Sequence, residues 1–503
     1  MSEDFLKLQN GSDIRGVAIE GVEGENVNLT PEIARKIGCA YVSWLEKKSG
    51  ISPYEMKIGV GRDSRLSGPD LADALMEGIS SAGAKVYDCG LATTPAMFMS
   101  LIFEETDFTG SAMITASHLP YNRNGIKFFD SDGGLEHEDI TEILKLASLL
   151  APKKVNDFVE KIDLLNLYAD YLKNKISFAL EEITPSGELP LKSLHIVVDS
   201  GNGASGFFVE KILKPLGANT EGSQFLEPDG MFPNHIPNPE NKDAMAAIQN
   251  AVLKNHADLG LIFDTDVDRM SAVLSDGSEV NRDSIIAMIS AILAPTYPNS
   301  TIITDSVTSD RLTYFLQDVL GLHHLCYMRG YKNVINKQKE LNARGICAPL
   351  AMETSGHGAL KDNYYLDDGA FLAVKLIVAL AKASKEGKKL DSLIEKLPPL
   401  VEEGEYRFKI NVEDFKTYGN NVLSEFKKRA ERAGYEMPKS YEGVRLSFKG
   451  DDVQGWMLLR MSLHDPVMPL NIEGGRKGDL AKIIKIAQEL TDGFEQLDRS
   501  SLK

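Results

Sequence analysis

Short apolar runs that stop at polar or glycine-rich turns recur along the chain. Followed by a turn and then a helical pattern, such runs are typical of strands in α/β units. They lie at 56–60, 112–114, 195–198, 257–263 and 301–304. Amphipathic spacing predicts helices from about residue 31, over 137–150 and over 164–178.

The last part of the chain has a different pattern, in which strands dominate. Strands are predicted at 406–412, 444–448, 456–463 and 468–472, with helices at 420–433 and 479–490. This order predicts a small α+β domain at the C-terminal end.

Two proline-containing stretches interrupt these patterns. The segment 181–192 reads EEITPSGELPLK, and Pro398-Pro399 comes later. A chain of 503 residues is too long for one hydrophobic core. We therefore predict four domains, at 1–182, 183–296, 297–398 and 399–503.

Composition narrows the classes of partner. The chain is 43% hydrophobic and 25% charged, with a net charge of −18. This charge argues against a nucleic acid or an anionic membrane as the main partner, although a local basic cluster can still bind phosphate. The four cysteines are far apart and read as reduced thiols. With no signal-peptide pattern and no apolar run long enough to span a membrane, we expect a cytoplasmic protein or a processed organellar one.

A hydroxyl, an imidazole and an ammonium group fall within one short turn. The run 112–114 is followed by Ser117 and His118, and Lys127 comes just after the Asn-Gly pair. The sequence predicts that Ser117 is exposed on a loop at the carboxyl end of a strand, where open α/β sheets bind ligands. An ordinary polar turn, with Ser117 bonded to its own backbone, is the alternative.

Two turns present arginines near strand ends. Arg15 lies in GSDIRG, and Arg62 begins RDSR after the strand at 56–60. Planar guanidinium groups offer paired donors to phosphate oxygens. Together the two turns favour a phosphate-binding cleft.

Three aspartates follow another buried run at alternate positions: Asp264, Asp266 and Asp268. Close carboxylates need a cation, and their hard oxygens suit Mg²⁺. An EF-hand is excluded because Arg269 and Ser275 stand where that loop needs Gly and Glu. A haloacid-dehalogenase-type phosphatase is a weaker alternative, since Asp268 occupies a position where that pattern has Thr or Val.

These motifs, in this order, resemble those of the α-D-phosphohexomutases, the phosphoglucomutase and phosphomannomutase superfamily. TASHLP with NGIK resembles the phosphoserine loop TASHNP, and DTDVDR resembles the metal loop DGDGDR. DIRG and GRDSR match two further segments, and METSGH resembles the sugar-binding loop GExSGH. The final loop departs most, because RMSLHDP stands where the family has RxSGTEP.

The resemblance implies three similar α/β domains with mixed sheets and a C-terminal α+β (TBP-like) domain around a central cleft. It implies catalytic roles for Ser117, His118, Lys127, Arg15 and Arg269, and one Mg²⁺ held by Ser117, Asp264, Asp266 and Asp268. It implies substrate contacts from Arg62, Tyr331, Lys332, Glu353, Ser355, His357, Arg460, Ser462 and His464. Lys127, His118 and His357 remain open as the general base.

The implied function is interconversion of hexose 1-phosphate and hexose 6-phosphate through a phosphoserine and a bound hexose 1,6-bisphosphate. The partners are then small hexose phosphates, and the protein is a monomer or a homodimer. Two alternatives stay open: a hexose 1,6-bisphosphate synthase, favoured by the altered final loop, and a catalytically silent sugar-phosphate sensor.

Overall fold

A computed structural model of the chain describes residues 2–152, 159–462 and 465–502. It contains two compact units. The first comprises Met1–Asn281 with Ser355–Ser392, and the second comprises Arg282–Thr354 with Leu393–Lys503. Among the described residues, no helix combines the length and the apolar character needed to cross a membrane.

The first part of unit one alternates helices and strands. Its elements are α1 Ser2–Leu6, β1 Gln9–Asn10, β2 Asp13–Val17, α2 Pro31–Ser49, β3 Lys57–Arg62, α3 Gly68–Ser81, β4 Lys85–Leu91, α4 Thr94–Met99, β5 Gly110–Ile114, β6 Arg123–Asp130, β7 Gly133–Gly134, α5 His137–Leu149 and β8 Glu160–Lys161.

These strands form one mixed sheet in the order β1-β2-β6-β5-β3-β4-β8, with β7 paired to β6. The strand β3 is parallel to both β4 and β5, whereas β6 is antiparallel to β5 and β2. The helix α2 begins as the sequence predicts. Thr30 caps it by accepting a hydrogen bond from the Ile33 amide, Pro31 occupies the first turn, and Gly50 ends it at φ 72°.

The rest of the chain follows the same plan up to the C-terminal segment. In chain order, the remaining elements are α6 Leu164–Leu180, β9 Ile196–Asp199, α7 Lys242–Asn255, β10 Leu259–Phe263, β11 Met270–Leu274, β12 Glu279–Val280, α8 Arg282–Leu293, β13 Thr301–Thr304, α9 Asp310–Tyr314, β14 His323–Cys326, α10 Tyr331–Ala343, β15 Leu350–Met352, β16 Gly358–Leu360, β17 Leu366–Asp367, α11 Gly369–Lys385, β18 Glu402–Ile410, α12 Phe415–Ala433, β19 Val444–Lys449, β20 Gln454–Leu459, β21 Val467–Gly474, α13 Asp479–Leu490 and β22 Leu497–Asp498.

The second sheet of unit one has the order β12-β11-β10-β9, with β9 and β10 parallel and the other pairs antiparallel. In unit two, β13 is parallel to both β14 and β15. The C-terminal strands form an antiparallel sheet in the order β19-β20-β21-β18-β22. Three α/β segments followed by an antiparallel C-terminal region confirm the predicted fold class. The four domain boundaries and the central cleft stay predictions.

Several C-terminal elements differ in extent from their predictions, and the strand predicted at 406–412 is found at Glu402–Ile410. The helix predicted at 420–433 begins earlier, at Phe415, because Asp414 caps it by accepting a hydrogen bond from the Thr417 amide. The strand predicted at 456–463 ends at Leu459, where its pairing with β19 ends.

Candidate active site

Ser117 lies on the loop that follows β5, as the sequence predicts, but it is half-buried and not exposed. Its φ of 49° is in the left-handed region, and its amide donates to Thr115 Oγ1 at 2.9 Å. Its hydroxyl donates to Asp264 Oδ2 at 3.0 Å and accepts from Arg269 Nη2 at 2.9 Å. These two contacts come from the aspartate loop after β10, and a third polar contact is His118 Nδ1 at 3.3 Å.

The three aspartates of that loop are buried together. One carboxylate oxygen from each aspartate lies within 4.8 Å of the other two, and Asp264 and Asp266 are fully inaccessible to solvent. Asp266 Oδ1 and Asp268 Oδ1 are buried and receive no hydrogen bond from the part of the chain that the structure describes. Buried acceptors that lack a donor are costly, and hard oxygens in such a cluster suit a divalent cation. The residues present therefore fit a metal ion.

Two cations compensate most of this negative charge. Lys127 on β6 places its ammonium against Asp268 Oδ2 and 3.3 Å from Asp266 Oδ2. Arg269 Nε donates to Asp264 Oδ2 at 3.0 Å. Burial and the neighbouring carboxylates raise the pKa of Asp264 well above its usual value. Burial would do the same to Asp268, but Lys127 and Arg269 prevail and lower its pKa.

Two histidines adjoin this cluster in the neutral form. His118 Nδ1 lies 2.6 Å from Arg269 Nη2, an arrangement in which the ring nitrogen accepts. Burial, and then the positive charge of Arg269, lowers the pKa of His118 to about 3. Burial, with Arg269 and Lys127, also lowers the pKa of His357. Both imidazoles are uncharged at neutral pH.

His357 reaches the aspartate loop through the backbone. An isolated antiparallel bridge pairs Arg269 with His357, and His357 Nε2 lies 3.6 Å from Asp268 Oδ1. Its Nδ1 shares a hydrogen bond of 2.8 Å with Ser355 Oγ. Two residues of the predicted sugar-binding loop thus lie beside the aspartates in unit one.

Arg15 lies on β2 and reaches the Ser117 loop. Its Nη1 donates to the carbonyl of Thr115, and its Nη2 donates to Asp13 Oδ2 at 2.8 Å. The side chain crosses Gly125, where an added Cβ would meet Arg15 Nη1 at 2.7 Å. The glycine of the NGIK motif therefore leaves room for this arginine.

Arg62 is placed differently from Arg15. It ends β3, its aliphatic carbons lie beside Gly68, and its carbonyl accepts from the Ala92 amide at 2.8 Å. The arginine of that turn that contacts the Ser117 loop is Arg65, three positions later. Its contact was not predicted from the sequence.

Unit two holds the other predicted substrate residues. Tyr331 and Lys332 open α10, and Glu353 Oε1 accepts from the Gly330 amide at 2.6 Å. Arg460 is buried, and its Nε meets no hydrogen-bond acceptor among the described residues, which leave out 463 and 464. Burial, together with nearby Arg329, lowers the pKa of Arg460. A buried guanidinium with an unused donor suits an anion.

The final loop is described only in part. Ser462 Oγ accepts from the Asp465 amide at 3.2 Å, and the Ser462 amide donates to the Val467 carbonyl at 2.9 Å. His464, also predicted to contact substrate, lies outside the described residues.

Sequence reasoning did not predict one residue that contacts the aspartate cluster. Thr94 opens α4; its hydroxyl donates to Asp266 Oδ2 at 2.5 Å, and its amide donates to the Asp266 carbonyl at 2.9 Å. Thr93 precedes Thr94 and caps that helix. The Thr-Thr-Pro pattern indicates a helix start, but not the distant carboxylate that the second threonine binds.

Comparison with known proteins agrees with this geometry. Family models described as phosphoglucomutase/phosphomannomutase, alpha/beta/alpha domains I, II and III match residues 6–148, 166–277 and 281–401. The chain is 30% identical over 480 residues to a phosphomannomutase/phosphoglucomutase of Pseudomonas putida, covering 94% of this chain and 92% of the relative. It is 29% identical over 493 residues to a phosphoglucomutase/phosphomannomutase of Thermococcus kodakarensis, covering 97% and 98%.

A solved structure shares the fold over nearly the whole length. It is a phosphoglucomutase/phosphomannomutase family protein from Burkholderia thailandensis, with a TM-score of 0.78, 26% identity and 98% coverage of both chains. The fold and the serine–aspartate site define an intramolecular phosphotransferase. The chain belongs to the phosphoglucomutase/phosphomannomutase family of the α-D-phosphohexomutase superfamily.

Proposed function

We propose that the enzyme interconverts hexose 1-phosphates and hexose 6-phosphates through a phosphorylated Ser117. The observation that carries this proposal is the setting of the Ser117 hydroxyl. It lies between Asp264 and Arg269, and Lys127 contacts Asp268 of the same loop. A phosphoryl group on Ser117 would meet both the guanidinium and a cation held by the aspartates.

In the first half-reaction, the free hydroxyl of a hexose phosphate attacks the phosphoryl group of phospho-Ser117. The new P–O bond forms as the bond to Ser117 Oγ breaks, and the product is hexose 1,6-bisphosphate. The bisphosphate then reorients in the site, and Ser117 Oγ attacks its other phosphate, the one that the substrate brought, as the bond from that phosphorus to the sugar oxygen breaks. The hexose leaves with its phosphate moved, and phospho-Ser117 is restored.

Charge stabilisation is the main demand of phosphoryl transfer. Arg269 reaches the serine directly, and Arg15 binds the carbonyl two residues before it. We assign Mg²⁺ to Asp264, Asp266, Asp268 and the phosphoserine, where it would neutralise charge on the transferring group. The two aspartate oxygens without hydrogen-bond donors support this assignment.

Substrate recognition is proposed from the family motifs. Glu353, Ser355 and His357 are assigned to the sugar hydroxyls, which a carboxylate, a hydroxyl and an imidazole can bind. Arg460 and Ser462, with His464, are assigned to the phosphate that does not react, and the unused Nε donor of buried Arg460 supports this role. Tyr331, Lys332 and Arg62 are assigned to further substrate contacts.

The test is a coupled assay with Mg²⁺ and either glucose 1-phosphate or mannose 1-phosphate, with and without glucose 1,6-bisphosphate. We expect 6-phosphate to form, with a phosphoryl group on Ser117 by mass spectrometry, and both to disappear in Ser117→Ala. Accumulation of bisphosphate in place of 6-phosphate would identify a bisphosphate synthase. An absence of transfer with any hexose phosphate, and an unphosphorylated Ser117, would refute an enzymatic role and favour a sensor.

A further inference from the structure

Arg65 is an almost inaccessible arginine in the turn between β3 and α3, with 1% of its surface exposed. Its guanidinium donates four hydrogen bonds to backbone carbonyls, three of them in the Ser117 loop between β5 and β6 and the fourth at Arg123, the first residue of β6. The acceptors are the carbonyls of Ser117 at 2.5 Å, Leu119 at 2.6 Å, Pro120 at 2.7 Å and Arg123 at 2.9 Å.

The other sides of this guanidinium are also occupied. Asp63 Oδ2 lies 3.3 Å from Arg65 Nε, and the Phe232 ring centroid lies 5.1 Å from its central carbon. The Asp63 amide donates to the carbonyl of Ile114, the last residue of β5, at 3.0 Å. The same turn therefore holds both the end of the strand and the loop that follows it.

The Ser117 loop needs such a partner because its residues, between β5 and β6, belong to neither a helix nor a strand. Its carbonyls converge on one point, and Ser117 itself has a φ of 49°, which few residues other than glycine adopt. Two terminal nitrogens with two hydrogens each match four converging acceptors. A lysine ammonium has three donors in a tetrahedral arrangement and cannot replace this planar fork.

We propose that Arg65 is a positioning residue that holds the Ser117 loop through its backbone carbonyls, so that the Ser117 hydroxyl faces Asp264 and Arg269. It acts through the loop backbone and not on the substrate. Its expected effect on turnover rests on the proposed function, whereas its effect on loop mobility does not.

The experiment compares Arg65→Lys and Arg65→Met with wild type and with Arg35→Lys. Arg35 is a control in the same unit: its Nε donates to Glu77 at 2.7 Å between α2 and α3. Amide hydrogen exchange is measured for peptides covering 115–123 and 264–269. Mg²⁺ affinity by calorimetry and kcat and KM for glucose 1-phosphate are measured on the same preparations.

We expect exchange in 115–123 to be at least about tenfold faster in both Arg65 variants, because the loop opens more often without its four hydrogen bonds. Exchange in 264–269 should match wild type, and so should the Mg²⁺ affinity of protein whose Ser117 is unphosphorylated, because the three aspartates then hold the ion. We expect kcat to fall about a hundredfold, as misplacement of a reacting group by about 1 Å can cause, with KM within about twofold of wild type. Arg35→Lys should change none of these quantities.

The proposal would be overturned if the Arg65 variants exchanged at the wild-type rate in 115–123. It would also be overturned if exchange accelerated as much in 264–269 as in 115–123, because Arg65 would then be a general core residue. If wild type shows no mutase activity, the proposed function fails, and the exchange data still decide the role of Arg65. Should neither Arg65 variant fold, Phe232→Leu removes only the aromatic face. A smaller, local increase in exchange would then support the proposal, and no change would refute it.

Discussion

Val267 is the most strained residue of the aspartate loop, and its strain can be measured. It is fully buried, and its φ is 68°, a left-handed value that a β-branched side chain rarely adopts. In the family motif this position is usually glycine. The backbone is held there because the Val267 carbonyl accepts from the Gly369 amide at 3.1 Å, at the start of α11. We predict that Val267→Gly is at least as stable as Val267→Ala.

The magnitude follows from two opposing effects. A left-handed conformation costs an L-residue about 1–2 kcal/mol, which alanine keeps and glycine does not. At an ordinary ordered position, a protein with glycine is less stable than one with alanine by about 0.5–1 kcal/mol, because glycine has more conformational entropy in the unfolded state. The difference favours glycine at 267 by about 0–1.5 kcal/mol. Both variants lose most of the packing of the valine side chain, so this loss largely cancels between them.

Val273 on β11 provides the matched control. It is equally buried, belongs to the same unit, and pairs with Gly260 in an ordinary antiparallel register. There, Val273→Gly should be less stable than Val273→Ala by about 0.5–1 kcal/mol. The assay is urea unfolding of all four variants in EDTA, followed by far-ultraviolet circular dichroism.

At each position, the unfolding free energy of the alanine variant is subtracted from that of the glycine variant. The value at 267 minus the value at 273 gives the strain free energy of the left-handed conformation. We expect about 1–2 kcal/mol. If Val267→Gly is less stable than Val267→Ala by the same amount as at 273, the loop does not hold Val267 in a strained conformation, and the reasoning is wrong.

Three further predictions concern charged or titrating groups. Lys127→Met should destabilise the protein in EDTA by about 3–5 kcal/mol, because two buried carboxylates lose their ammonium partner, and by less in Mg²⁺; equal losses in urea unfolding under both conditions would contradict this. Burial raises the pKa of Glu473 to about 7. The native state therefore binds the proton more tightly than the unfolded state, and stability should fall as pH rises from about 4.5 to about 7. Plots of unfolding free energy against pH for wild type and Glu473→Gln should differ in slope over this range, and equal slopes would refute the prediction. Burial alone would raise the pKa of the Cys326 thiol, but His324 and Arg445 lower it to about 7. In a Cys347→Ser background, iodoacetamide alkylation of Cys326, measured by mass spectrometry, should reach half its maximal rate near pH 7. His324→Ala should move this midpoint to higher pH. A midpoint at about pH 8.5, the usual thiol value, with His324 intact would contradict the prediction.

The sequence was sufficient where local patterns determine structure. Ser117 and the three aspartates each follow an apolar run, and the structure places both groups at the carboxyl ends of strands, after β5 and β10. Alternation between short buried runs and amphipathic helices requires α/β segments, so the fold class was predictable. Helix α2 was predictable because its cap and its proline are adjacent in sequence.

The contacts that the sequence did not reveal are between distant residues. Arg62 and Arg65 stand in the same GRDSR motif with the same side chain, and only the fold shows which one lies under the Ser117 loop, more than fifty residues away. Thr94 meets Asp266 across an even longer separation. Neither contact leaves a local pattern, because each depends on how two elements pack.

The half-buried position of Ser117 also changes the question of the proton acceptor, for which the sequence left Lys127, His118 and His357 open. His118 accepts a hydrogen bond from Arg269 through Nδ1 and is a weak base at a pKa of about 3. Lys127 is engaged by Asp266 and Asp268, and His357 by Ser355. The Ser117 hydroxyl lies 3.3 Å from His118 Nδ1 and donates to Asp264 Oδ2 at 3.0 Å. The carboxylate that receives the serine hydrogen bond therefore belongs to the aspartate loop, which the sequence did not suggest as an acceptor, and the choice of Lys127, His118 or His357 as the general base stays a prediction.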